Sequence, residues 1–151
     1  MIQMDTFLHF YLRDIDKFIA ETEAFPTEES LWITGGDVKN PAGTLGLHIA
    51  GNLQHFIGSV LGGTGYVRQR ELEFSLRGVP KSDILDGLHT ARKVVETVFS
   101  NMSDAHLNAV FPADHFGENR STLHALLHLQ AHLSYHLGQL NYLRRLVVMP
   151  T

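Results

Sequence analysis

The sequence runs to 151 residues, 44% of them hydrophobic, with 12 Lys and Arg against 16 Asp and Glu for a formal charge of -4. That length and apolar content suit a single domain over residues 1–151, and the charge leaves no basic excess for nucleic acid or an anionic membrane surface. Lacking cysteine, the chain can form no disulfide, thiolate metal ligand or cysteine nucleophile, so any thiol chemistry must arrive with a substrate.

Met1 to Phe10 carries Asp5 and has neither a basic leader nor a small-residue cleavage site. It does not read as a secretion signal, and a cytoplasmic location is expected. From Met4 to Glu23, Phe7, Leu8, Tyr11, Ile15, Phe18 and Ile19 recur at spacings of three and four, which predicts a first amphipathic helix. Pro26 and the pair Gly35-Gly36 interrupt it, and the chain crosses through Leu31, Trp32 and Ile33 to Asn40-Pro41. This connection is long enough to join neighbouring parallel helices or to cover one end of a bundle.

A second helix is predicted from about Thr44 to Leu61, closed by Gly62-Gly63 as a left-handed cap. Tyr66 to Gly78, with Arg68, Arg70, Glu71, Glu73 and Arg77, is the most charged connection and reads first as a solvated loop. A third helix follows Pro80 and Ser82, burying Ile84, Leu85, Leu88, Val94, Val95 and Val98 until about Met102. After a second connection through Val110-Phe111-Pro112 and Phe116-Gly117, Ser121 supplies a cap for a final helix reaching about Val148. Residues 40–67 and 121–143 contain no Asp, Glu, Lys or Arg, yet their histidines and amides are costly in lipid. Helices shielded by protein are expected, not membrane spans. The pattern predicts an all-α four-helix bundle with long connections between helices.

On the final helix His124, His128, His132 and His136 recur every fourth residue, but successive members rotate by about 40°, so all four cannot meet one ion. Taking His132 as the reference, Ala125, Leu129, His136 and Leu143 share its face, while Gln130, Ser134, Asn141 and Arg145 form a polar back expected to meet solvent. On helix two, His48, Asn52, His55 and Ser59 fall into one polar but uncharged stripe, which suits a face turned toward a partner helix. Three unpaired buried imidazoles would each cost about 1–3 kcal/mol. One divalent ion would satisfy all three, with zinc or nickel the first choices and iron or copper the alternatives. Buried histidines also bond carbonyls, water and one another, so a metal site and a hydrogen-bonded set both remain open from spacing alone. His55 could stand in for His48, and His128 for His136. His124 is placed on the flank, and His9, His89, His106 and His115 receive no role.

The segments Leu45-Gly46-Leu47-His48-Ile49-Ala50-Gly51-Asn52-Leu53 and His132-Leu133-Ser134-Tyr135-His136-Leu137-Gly138-Gln139-Leu140 resemble the DinB-like metalloprotein superfamily. The resemblance spans nearly the whole chain and includes the ending Tyr142-Leu143-Arg144. It implies a DinB-type four-helix bundle whose ligands are one histidine on helix two and two histidines four apart on the last helix. Those positions are His48, His132 and His136. Two positions differ from many relatives: Leu133 stands where an acidic residue follows the first histidine, and Tyr135 replaces the first of a doubled histidine. The superfamily includes thiol-dependent transferases and isomerases and metal-dependent hydrolases, and relatives commonly form homodimers.

The resemblance therefore implies a metal-dependent hydrolase or thiol S-transferase acting on a small electrophile, with a low-molecular-weight thiol as a candidate partner and a homodimeric assembly. Three neutral ligands would leave the ion an open position. Substrate contacts are expected from Arg68, Arg70 and Glu73, and support for the ligands from Asn52, His55 and Gln139. The rival expectation is a non-catalytic metal- or ligand-binding bundle.

Overall fold

A computed structural model describes residues 3–147; the expected helix end at Val148 lies outside them. The main helices are α1 (Met4–Glu23), α2 (Ala42–Leu53), α3 (Arg70–Ser75), α4 (Lys81–Ser100) and α5 (Thr122–Val147). Among the described residues the remaining regular structure is three 3-10 turns, a π-helix at Gln54–Leu61 and an isolated bridge between Val110 and Ser121. The structure is all-α, as the periodicity predicts. No helix among the described residues is long and apolar enough to cross a membrane.

Helix α1 buries Phe7, Tyr11, Ile15, Phe18 and Ile19. The Tyr11 hydroxyl donates to the Leu126 carbonyl at 2.6 Å, fastening α1 to α5. Lys81 at the start of α4 reaches the Phe25 carbonyl just past the end of α1, and the Met4 amide at the other end donates to Asp104. The two helices are therefore antiparallel. Contacts between α1 and α5 instead advance together, from Asp14–Gln130 to Glu21–Asn141, so that pair is parallel. Helix α2 runs parallel to α4, since Gly46 meets Ile84 while Gly58 meets Val94.

This topology resolves the first connection. With α1 and α2 antiparallel, residues 24–41 cover one end of the bundle, burying Phe25 and Leu31. The parallel neighbours α2 and α4 are joined by the charged stretch, which is no simple loop because it folds into α3. The Ser121 hydroxyl accepts from the His124 amide at 3.2 Å, capping α5 as its sequence position suggests.

Two expectations need correction. The second helix ends at Leu61, but from Gln54 onward it is π-helical, with Gly62 N–H donating to the Ile57 carbonyl and Gly63 adopting the left-handed conformation at φ 63°. A strict α repeat therefore misplaces the second half of the polar stripe. The polar back of α5 also does not meet bulk water throughout. Gln130 and Ser134 donate to the buried Asp14 carboxylate at 2.7 and 2.8 Å, and Asn141 and Arg144 pair with Glu21. Arg145 of that polar back does stay exposed, and the outward side of α5 also exposes Leu127, Tyr135, Tyr142 and Leu146. This helix packs on both α1 and α2, and acids on α1 pair with its polar groups.

Candidate metal centre

Helix α2 presents His48, 6% exposed, toward α5. His132 and His136, one turn apart on α5, meet it half-buried. Nε2 of His48 lies 3.0 Å from Nε2 of His132, which lies 3.1 Å from Nε2 of His136. The three ligating atoms all fall within 4.8 Å of one another. A tetrahedral ion with nitrogen ligands at about 2.0–2.1 Å separates those nitrogens by about 3.3 Å, close to the two distances seen here.

The outer ring nitrogens determine what the inner ones offer. Nδ1 of His48 faces Glu73 Oε1 at 3.0 Å, and Nδ1 of His136 faces Gln139 Oε1 at 2.7 Å. Each of these nitrogens donates its proton to an oxygen, which leaves Nε2 of the same neutral ring as a bare lone pair. A hydrogen-bonded set without an ion would have a single proton, on His132 Nε2, to share among three nitrogens. A cation satisfies all three, so the donor set fits a divalent metal.

His132 is held down at about 3, first by burial and then by the neighbouring His136 and His48 imidazoles. Burial also lowers His136, against the bond to Gln139 that opposes it. An unfolded imidazole titrates near about 6.5. From that pH down to about 3 the unfolded chain binds more protons than the fold, and stability falls as pH falls. Metal-free protein should therefore lose thermal midpoint steadily on acidification below about pH 6.5, with a shallower decline for His132→Gln. Equal slopes for the two proteins would contradict a neutral, proton-excluding His132.

The other expected site residues are dispersed. Asn52 is 6% exposed, and its Oδ1 has no protein partner. His55 packs on Phe56 with ring centroids 4.6 Å apart and stays outside the ligand group; burial first, then Arg68, lowers its pKa. His128 packs against Phe116, while His124 is exposed. Arg70 lies over the Phe74 ring at 4.9 Å.

The solvated-loop reading does not hold for Arg68 and Glu73: the Glu73 side chain is buried and that of Arg68 is 10% exposed, both beside His48. Glu73 is 7% exposed and receives Arg68 Nε and Nη2 at 2.8 Å each. Burial pushes its carboxyl up, and the hydrogen bonds from Arg68 and His48 more than offset that, leaving it below the usual carboxylate range. Phe74, one residue on, leans against His48 with ring centroids 4.8 Å apart. The sequence carried one sign of this closeness: Gly51 interrupts a strong helix pattern, and a Cβ there would collide with the Glu73 carboxylate.

The sequence pattern of the DinB superfamily matches residues 11–140. Among solved structures the chain is similar to a DinB-like protein from Bacillus cereus, with a TM-score of 0.73 and 19% identity over 99% of this chain and 97% of that one. At that identity the likeness bears on the fold. No match was found among curated proteins.

Proposed function

This chain belongs to the DinB superfamily, and from that membership together with the converging imidazoles we propose that it is a divalent-metal enzyme, a hydrolase or thiol S-transferase acting on a small electrophile. The observation that carries the reading is the pairing of the outer nitrogens of His48 and His136 with oxygens of Glu73 and Gln139, the arrangement that favours protons on those nitrogens and turns bare Nε2 atoms toward one point. His48, His132 and His136 would hold the ion, with zinc or nickel as the first choices.

A bound ion would supply Lewis acidity that favours the deprotonated form of a water or thiol at neutral pH. Three ligands in the group support an enzyme over a structural site, since structural zinc is normally closed by four protein groups. The chain's own residues orient and shield: Gln139 holds the His136 ring, Glu73 holds that of His48, and Phe74 covers one side of His48. With no cysteine in the sequence, a thiol would have to be the second substrate.

The test is metal analysis of protein purified without a histidine tag, followed by titration with low-molecular-weight thiols. One ion per chain is expected, and cobalt-substituted protein should change its visible spectrum as thiol occupies the open position. A spectrum indifferent to every added thiol and to imidazole would favour the non-catalytic binding module instead.

A further inference from the structure

The geometry points to Glu73 as the residue that positions His48 for the metal ion, with Arg68 holding that carboxylate in place; this rests on the metal reading above. Four residues from three parts of the chain converge to build the arrangement. His48 and Gly51 lie on α2, Arg68 on the connection and Glu73 on α3.

A buried carboxylate is unfavourable unless paired and hydrogen-bonded, and here both oxygens are engaged. Oε2 accepts from Arg68 Nε, while Oε1 accepts from both Arg68 Nη2 and His48 Nδ1. Arg68 cancels most of the carboxylate's net charge. What remains at His48 is direction: the shared oxygen keeps the proton on Nδ1, fixes the ring plane and aims Nε2 at the other two histidines. A carboxylate behind a ligating imidazole also raises that ring's strength as a donor.

The approach is possible because position 51 has no side chain. Glycine inside a helix is less favourable than alanine, and here it leaves the space that Glu73 fills. A purely structural role for the pair, pinning α3 to α2, would use the same contacts. It makes a different prediction, because it ties Glu73 to the stability of the metal-free fold alone and leaves the affinity of folded molecules unchanged.

The experiment measures zinc affinity of the full chain by competition with a chromophoric chelator, alongside the unfolding midpoint of metal-free protein and the visible spectrum of the cobalt(II) form. Glu73→Gln should weaken zinc about 10–100-fold and alter the cobalt spectrum of folded molecules, with a lower metal-free midpoint as well because Arg68 loses its counter-charge. Glu71→Gln, an exposed carboxylate on the same helix, should change none of these. Wild-type zinc affinity in folded Glu73→Gln overturns the proposal, as does a lowered metal-free midpoint with affinity intact. If Glu73→Gln does not fold, Gly51→Ala decides, because it displaces the carboxylate while leaving Glu73 and the ligands in the sequence. It too should weaken zinc, and unchanged affinity overturns the assignment. Failure of the unmodified protein to bind zinc or cobalt would instead remove the metal reading itself.

Discussion

His132→Ala is expected to abolish stoichiometric metal binding, while His124→Ala keeps it at the wild-type level. The two residues are two turns apart on α5 and look alike in sequence. His132 is the middle member of the cluster, its Nε2 within 3.1 Å of both other ligands, whereas the exposed His124 touches none of them. A ligand present at 100 to 1,000 times its dissociation constant adds about 2.7–4.1 kcal/mol to stability. That increment should disappear in His132→Ala. The metal-free midpoint should move much less, because the lost imidazole has a buried Nδ1 with no partner and contributes no satisfied outer bond. Thermal unfolding with and without zinc, with elemental analysis of the same samples, separates these effects. One tightly held ion in His132→Ala would defeat the ligand assignment.

That the polar stripe of helix two would meet the imidazoles of the last helix was readable because the stripe had only one imidazole-rich counterpart; the choice of His48 over His55 and of His136 over His128 came from the family resemblance. Periodicity also placed α1, α4 and α5 and the Ser121 cap, since each depends on local pattern. What it could not place was decided between elements. The π-helix at Gln54–Leu61 lies within a segment whose residues suit an α-helix equally well, so a projection at about 100° per residue loses its phase there. Arg68 and Glu73 illustrate a different limit. A charge in sequence indicates solvent unless its partner is known, and these two bury each other only because α3 folds back against Gly51. The acidic partners of Gln130, Ser134 and Asn141 were missed for the same reason: Asp14 and Glu21 are more than a hundred residues away.

The placement of His48 also depends on how closely α2 approaches α4, and this gives a second large effect. Ile84 is 1% exposed, so Ile84→Ala should cost about 2–5 kcal/mol out of a total stability of about 5–15 kcal/mol. A Cβ at Gly46 would sit 2.5 Å from Ile84 Cγ2. Gly46→Ala should therefore lose about 1–3 kcal/mol to overpacking, partly offset by about 0.8–1.0 kcal/mol of helix propensity. The double variant should be more stable than the sum of the single changes, with a coupling of about 0.5–3 kcal/mol, because the new methyl enters space vacated by the isoleucine. Zinc affinity should follow the same pattern: weakened in Gly46→Ala, where α2 is pushed from α4 and His48 shifts relative to α5, and partly restored in the double variant. Denaturant titrations and chelator competition on the four proteins would measure both couplings. Strict additivity in both would mean that α2 moves freely enough to absorb a methyl, and the close packing at Gly46 would no longer explain how His48 is held.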